Sequence, residues 1–216
     1  MIATPAVHAP ARRLMAGWVK PLLFLASLGP LAWLVWGAVN DGLGANPAEA
    51  LIRSTGEWTL RFLCLTLAIT PLRQFSGWHW LARLRRMLGL FTFAYGCLHF
   101  LSFAWLDMGL DLSAIVRDII KRPFILVGSA ALLTMLPLAA TSFDRAIKAL
   151  GARRWQVLHR LIYATALLAV LHFFWMRSAK NDFAEVAVYA AVIAALLGWR
   201  LWRRWKSVSG RARRLA

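Results

Sequence analysis

Three histidines lie within long apolar stretches of this 216-residue chain, where an ionisable side chain is costly to bury. His99 falls in one stretch, and His159 and His172 fall in another. Imidazole is the commonest neutral metal ligand, and a haem with a histidine on each face has no open coordination site and suits electron transfer. The alternative for each histidine is a hydrogen bond between helices. The histidines therefore make a haem site inside a membrane the first hypothesis.

The composition indicates that the elements positioning these histidines are membrane spans. Hydrophobic residues make up 60% of the chain, and the mean hydropathy is +0.59. A transmembrane helix needs about 20 mostly apolar residues, so the length allows six spans with short loops. We therefore predict an all-α bundle of six transmembrane helices. The predicted spans are 18–39, 51–70, 87–106, 123–141, 155–176 and 183–202.

Turn and charge signals separate these spans. Asn40-Asp41-Gly42 follows the first span, Pro71 is predicted to end the second, and Pro123 to begin the fourth. The chain then divides into a cytoplasmic tail over 1–17, a transmembrane haem-binding domain over 18–205 and a basic cytoplasmic tail over 206–216. The domain is predicted to hold every candidate ligand.

The formal net charge of +17 is arranged as a topology signal rather than as a nucleic-acid-binding patch. Most of the 26 lysines and arginines lie in the two tails and in the loops 71–86 and 142–154. The positive-inside rule therefore places both termini in the cytoplasm, and no nucleic-acid partner is expected. The opposite loops hold only Arg117, Lys121, Arg122, Arg177 and Lys180.

Depth in the membrane separates the three histidines. The third and fifth spans run in the same direction, and His99 and His172 differ by roughly 8 Å in depth at 1.5 Å per residue. His159 lies about 20 Å from His172 towards the cytoplasm and is rotated by about 220° from it on an ideal helix. The better axial pair is therefore His99 with His172, towards the outer leaflet. Spacing alone does not establish a second haem at His159.

Charged residues near these histidines have two interpretations each. Arg53, Glu57 and Arg61 share one helix face at i, i+4 and i+8, either as an ion-pair stripe or with an arginine holding a haem propionate. Arg85 and Arg86 precede the third span. They are candidates to contact a propionate, a flavin phosphate or a quinone headgroup, and the alternative is a topology signal.

Several motifs together resemble a known family over roughly residues 50–205. The motifs are Thr70-Pro71-Leu72-Arg73, Arg85-Arg86-Met87-Leu88-Gly89-Leu90, Leu98-His99-Phe100, Leu158-His159-Arg160-Leu161-Ile162-Tyr163-Ala164 and Leu171-His172-Phe173. With them the chain resembles the ferric-reductase-like transmembrane domain family, and within it the haem-binding membrane subunits of bacterial periplasmic protein-methionine-sulfoxide reductase systems.

The resemblance implies cofactors and ligands. It implies haem b ligated by His99 and His172, with His159 matching a further family histidine, and it implies flavin mononucleotide (FMN). Arg86 stands 13 residues before His99, where two-haem reductases have a second histidine. One haem is therefore expected, and a second would need a ligand from elsewhere.

The resemblance also implies a location and partners. It implies a bacterial inner-membrane protein that receives electrons from the quinone pool or from a cytoplasmic flavin reductase. The acceptor would be a periplasmic molybdenum-containing methionine sulfoxide reductase, which repairs oxidised proteins. This chain would be the electron-transfer subunit and would have no catalytic residues of its own.

Other functions fit the residues less well. No Gly-rich dinucleotide fingerprint follows a strand, so the chain is not expected to take hydride from a nicotinamide cofactor. A transporter would show matching broken helices in its two halves, and a passive anchor has no use for three intramembrane histidines. The nearest alternative is another cytochrome b or ferric-reductase-like electron conduit.

Overall fold

The computed structural model describes residues 9–178 and 181–212. Lys180 and the outer parts of both predicted tails, 1–8 and 213–216, lie outside these ranges. All regular structure in the described ranges is helical, as predicted. The helices are α1 (Ala9–Val39), α2 (Pro47–Ser76), α3 (Ala82–Ser102), α4 (Leu112–Lys121), α5 (Pro123–Ala140), α6 (Asp144–Leu150), α7 (Ala152–Leu158), α8 (Leu161–Ser178) and α9 (Ala184–Ala212), with a 3₁₀ turn at His79–Leu81 and a π-helical turn at Phe103–Asp107.

Five stretches of the described chain are helical, long and apolar enough to cross a membrane. The second predicted span, in α2, is not among them although α2 has 30 residues, because Glu57 and Arg61 lower its hydropathy. The all-α class is confirmed, and the sixth span and the orientation of the termini stay predictions. The five stretches are Gly17–Val39, His79–Asp107, Pro123–Ala140, Ala152–Ser178 and Ala184–Ser207.

The helix with the weakest membrane signal is nevertheless central to the packing. One face of α2 places Leu60, Leu63 and Leu67 in a buried core shared with α5, α8 and α9. Another face places Phe62 and Ile69 in a second core against α3. Burial of apolar surface on two faces stabilises α2 inside the bundle.

The prediction that Pro71 ends the second span was wrong. A proline lacks the N–H that would bond the carbonyl of Leu67 four residues earlier, which usually weakens a helix. Here the guanidinium of Arg200 on α9 donates to that carbonyl, so the helix continues through the proline. The helix ends instead at Gly77, whose φ of 69° is left-handed and whose N–H bonds the carbonyl of Arg73.

The fifth predicted span, 155–176, is two helices rather than one. Helices α7 and α8 are separated at His159 and Arg160. The N–H of His159 bonds the carbonyl of Trp155 in the α-helical pattern, but the N–H of Arg160 bonds the carbonyl of Val157 only three residues back. Because of this break, the angle between the His159 and His172 side chains around the helix axis cannot be calculated from the rotation of one ideal helix.

The loop expected between the third and fourth spans contains helix α4. Asp111 caps its first turn by accepting hydrogen bonds from the backbone N–H groups of Ser113 and Ala114. Ile115 packs into a small core with Phe103 of the π-helical turn. The helix is too short to span a membrane, and it closes one end of the bundle beside the third and fourth spans.

Tyr95 of α3 joins α1 to the bundle through the bonds around a proline. Pro30 lies inside α1, and the two backbone groups beside it, the N–H of Leu31 and the carbonyl of Ser27, would bond each other in a regular helix. Instead the Tyr95 hydroxyl accepts from Leu31 N at 3.1 Å and donates to Ser27 O at 2.8 Å. The side chain is only 2% exposed, so water does not compete for these bonds.

Tyr95→Phe should therefore destabilise the attachment of α1. The variant keeps the ring but leaves the Leu31 N–H and the Ser27 carbonyl without their partner, at a cost of about 1–3 kcal/mol. We expect the apparent unfolding temperature in detergent to fall by roughly 2–10 °C. An unchanged unfolding temperature would show that the hydroxyl does not stabilise the bundle.

Candidate haem site

The bundle has two chemically different ends. We call the end that carries Arg85 and Arg86 the basic end, and the end that carries Asp111 and Asp182 the acidic end. A cavity of about 210 Å³ lies between α2, α3, α5 and α8, and its wall includes His99 and His172. We call it the histidine-pair cavity. Its remaining walls are mostly apolar, which suits the face of a porphyrin.

His99 is held on α3 by a contact with α2. Its Nδ1 lies 2.8 Å from the carbonyl oxygen of Ile52, which can only accept, so Nδ1 carries the hydrogen and Nε2 keeps its lone pair. Gly56 allows this approach, because a Cβ there would lie 3.0 Å from the imidazole Cε1. The accepting carbonyl is four residues before the glycine on the same helix.

His172 is held in the same way by the other helix pair. Its Nδ1 lies 2.6 Å from the carbonyl oxygen of Phe124 on α5. A Cβ at Gly128 would lie 2.7 Å from that nitrogen, closer than packed atoms approach each other. Here too the accepting carbonyl is four residues before the glycine. In both histidines Nδ1 is thus fixed by a backbone acceptor, and Nε2 is the nitrogen that remains available to a metal.

The distance between the two rings is suitable for one metal ion. The ring centres of His99 and His172 lie 6.1 Å apart, with their planes at 75°. Imidazole binds first-row metals at about 2.0–2.1 Å, so two nitrogens on opposite sides of one ion are about 4 Å apart. The ring centres lie further out than the nitrogens, in agreement with the observed separation. The structure thus brings together the predicted axial pair.

Two unpaired polar atoms test whether a ligand with polar groups fits this cavity. In the described part of the chain, Ser129 Oγ and Arg177 Nε are the buried side-chain atoms that have no hydrogen-bond partner. Both residues line the histidine-pair cavity. Buried polar atoms in folded proteins are nearly always paired, so these two indicate a bound group with acceptors. A haem, apolar on its faces and anionic at its propionates, fits these walls.

A metal ion held by side chains alone does not fit as well. Residues 9–178 and 181–212 contain no cluster of three or more His, Cys, Asp or Glu side chains able to bind a metal. The pair of His99 and His172 supplies two ligands only. Two histidines are also the number of protein ligands that a haem with a histidine on each face takes.

The three residues predicted to share one face of α2, Arg53, Glu57 and Arg61, do not all line the same cavity. Arg53 and Glu57 line the histidine-pair cavity, whereas Arg61 does not. Arg61 donates to Glu57 at 3.0 Å and to the Tyr189 hydroxyl at 3.3 Å. Arg53 lies 3.7 Å from Glu49, with its side chain 44% exposed. Arg61 therefore fits the ion-pair alternative, and Arg53 is the arginine of the stripe that could contact a cavity ligand.

A second cavity lies nearer the basic end. It measures about 280 Å³, and its wall includes Arg73, Arg85, Arg86 and His159. We call it the basic-end cavity. It is lined by more polar surface than the histidine-pair cavity, and Met135 lines both. Arg85 and Arg86, predicted to contact a phosphate, a propionate or a quinone headgroup, thus line the same cavity.

His159 already has a partner in this second cavity. Its Nε2 lies 3.1 Å from the hydroxyl of Thr141 at the end of α5, and its ring stacks on Trp155 with centres 4.0 Å apart. This contact is the interhelical hydrogen bond considered as the alternative to ligation. Arg86 contacts Asp144 at 2.8 Å, with both side chains well exposed.

The sequence reading did not single out several cavity residues. Gly56 and Gly128 carry a usable signal, since glycine inside a helix costs roughly 1 kcal/mol relative to alanine and needs a reason. Arg177 was counted only as a charge in an outer loop. Ser129 had no signal, because a serine in an apolar helix ordinarily bonds its own backbone.

A search of protein families matches the description "ferric reductase like transmembrane component" to residues 55–170. The chain belongs to the ferric-reductase-like transmembrane family. This membership and the five apolar helices identify it as a membrane protein. The match covers His99 and His159 and ends just before His172. No solved structure matches the chain.

Close relatives within this family share one printed name, protein-methionine-sulfoxide reductase heme-binding subunit MsrQ. The protein of Polaromonas naphthalenivorans (strain CJ2) is 61% identical over 86% of this chain and 85% of its own length. That of Ralstonia nicotianae is 54% identical over 87% of each. That of Bordetella parapertussis is 54% identical over 93% of this chain and 97% of its own length.

Proposed function

We propose that this protein is the haem-binding membrane subunit of a protein-methionine-sulfoxide reductase and transfers electrons to the catalytic subunit. The observation that carries the proposal is the pairing of His99 with His172, each with Nδ1 on a backbone carbonyl and Nε2 free for iron. The names of the close relatives support both the cofactor and the enzyme system.

Haem b supplies a one-electron carrier when bound between these two residues. His99 and His172 would hold the haem as its two protein ligands, which suits electron transfer rather than substrate binding. The hydrogen bonds to Ile52 and Phe124 orient the rings and increase the basicity of Nε2. In this proposal the chain is the electron-transfer subunit, and the bond chemistry takes place in the catalytic subunit.

We infer that α2 is a sixth membrane span and that both termini are cytoplasmic, in a bacterial inner membrane. Apolar packing on two faces of α2 supports the first point. The concentration of arginine at the basic end supports the second, by the positive-inside rule. The histidine-pair cavity then lies towards the periplasm, where the catalytic subunit would bind. This subunit would be the molybdenum-containing reductase that repairs oxidised methionines.

The basic-end cavity is proposed as the site of the electron donor. Arg73, Arg85 and Arg86 provide charge for the phosphate of FMN or hydrogen bonds for a quinone headgroup. Electrons would come from the quinone pool or from a cytoplasmic flavin reductase. A second haem there would use His159, which would first have to leave the Thr141 hydroxyl. Met135 separates this cavity from the histidine pair.

The second candidate function is another cytochrome b or ferric-reductase-like conduit, favoured by the family description alone. Two measurements separate the candidates. Protein purified in detergent and reduced with dithionite should show the sharp low-spin band of b-type haem, and its absence would refute both. Anaerobic mixing with a purified periplasmic methionine sulfoxide reductase and methionine sulfoxide should then reoxidise the haem. Reoxidation by ferric chelates but not by this enzyme would favour the alternative.

A further inference from the structure

Arg177 is buried in the wall of the histidine-pair cavity. It lies in the last turn of α8, five residues after His172 and therefore about 7.5 Å nearer the acidic end. Its side chain is only 6% exposed. A positive charge that only set topology would gain nothing from this burial, since the positive-inside rule concerns loops. The burial therefore needs another explanation.

The guanidinium of Arg177 is bound by two carboxylates on its solvent-facing side, and one of its N–H donors has no partner in the described residues. It donates to Asp182 at 3.1 Å and to Glu185 at 2.7 Å, both through its terminal nitrogens. The two carboxylate side chains are about half exposed, so they contact the guanidinium at the rim. The ring of Phe173 lies 5.5 Å from the guanidinium carbon. The Nε–H is buried and has no partner among the residues described.

The unpaired Nε–H of Arg177 indicates which kind of acceptor would pair with it. The Nε–H of arginine and its neighbouring nitrogen form a planar fork that matches a carboxylate. Ser129, the other residue with an unpaired buried atom, also lines this cavity, so the acceptors should belong to whatever fills it. Haem b carries two propionate carboxylates at one edge. Arg53 lines the same cavity from α2 and could meet the second.

We propose that Arg177 binds a propionate carboxylate of the haem in the histidine-pair cavity, and that Asp182 and Glu185 position its guanidinium. The proposal rests on the proposed haem function. It directs one carboxylate of the cofactor to the acidic end. The half-exposed acids are screened by water, so they orient the arginine while its buried side remains the donor to the cavity.

The test compares haem b with its dimethyl ester, in which both carboxylates are blocked. The full chain is purified in detergent, its haem is extracted, and the protein is titrated with each compound by visible absorption. The wild type should bind haem b roughly tenfold or more tightly than the ester, as expected for a charge-assisted bond. Arg177→Gln should lose most of this preference, with any remainder due to Arg53, while keeping the low-spin spectrum of the His99–His172 pair.

Two further variants make the result specific. Arg177→Lys keeps the charge but lacks the fork, so it should recover only part of the preference; full recovery would overturn the role of Nε–H. Arg117→Gln removes an exposed arginine of α4 that does not line the cavity, and it should behave as the wild type. An equal loss in Arg117→Gln and Arg177→Gln would attribute the effect to the bundle and refute the proposal.

The failures of the two proposals are distinguishable. A wild type without a low-spin haem spectrum would refute the proposed function itself. A wild type with that spectrum, whose preference for haem b over the ester is unchanged in Arg177→Gln, would refute only the role of Arg177.

Discussion

Replacing either His99 or His172 by alanine should abolish the low-spin b-type spectrum of the purified protein. Each ring supplies one Nε2 to the same space, with ring centres 6.1 Å apart. A haem left with one axial histidine has an open position and changes its coordination. We therefore expect a high-spin spectrum or a loss of bound haem, measured by dithionite-reduced absorption and by haem content per protein.

Two controls separate ligation from folding. His79→Ala makes the same substitution at an exposed histidine in the 3₁₀ turn and should leave the spectrum unchanged. His172→Gly leaves space for free imidazole, which should restore the low-spin band if only the ligand was lost. If the band survives in both His99→Ala and His172→Ala, the assigned pair is wrong even though haem is bound. In that case His159 becomes the ligand to test.

Gly128→Ala should weaken haem binding roughly five- to hundredfold, although it adds only one methyl group and the glycine is not itself a ligand. The added Cβ would lie 2.7 Å from His172 Nδ1 and 2.8 Å from Cε1. The ring cannot retreat without stretching its 2.6 Å hydrogen bond to Phe124. Overpacking of this kind costs about 1–3 kcal/mol, and here the cost falls on the orientation of the proposed iron ligand His172.

Gly56→Ala should act in the same direction through His99, but less strongly. The closest approach of its added Cβ is 3.0 Å, so a smaller shift of the ring relieves it. Gly198→Ala is the matched control, because its Cβ would enter open space in α9 and should slightly favour the helix. Haem titration of the three variants measures the effect. A Gly128→Ala protein that binds haem like Gly198→Ala would show that the close approach is unimportant.

Local properties of the sequence were sufficient for the overall class and for the candidate ligands. Apolar stretches of about 20 residues predict membrane helices by hydropathy alone, and five of the six expected spans have that character in the structure. Three histidines stood out because burial of an ionisable group in such a stretch is costly. The favoured pair, His99 with His172, followed from depth in the membrane. Depth can be compared by the rise per residue because the two spans run in the same direction.

Errors arose where a distant residue changed a local rule. Pro71 does not end α2, because Arg200 of α9, far away in sequence, donates to the carbonyl that the proline leaves free. At the break between α7 and α8, Trp155 and His159 bond Thr141 at the end of α5, a tertiary contact that periodicity does not express. Local propensity describes a helix in isolation, whereas these two outcomes depend on neighbouring helices.

The sequence by itself therefore determined that this is an all-α membrane protein, and it singled out the histidines that we propose as haem ligands. Only the tertiary structure decided how they are held: Gly56 and Gly128 admit the rings, and backbone carbonyls of the facing helices fix each Nδ1. It also decided that Arg177 is buried with a free donor. The reason is physical. Hydropathy and spacing are properties of one segment, whereas the space that admits an imidazole ring and the pairing of a buried N–H donor depend on contacts between segments.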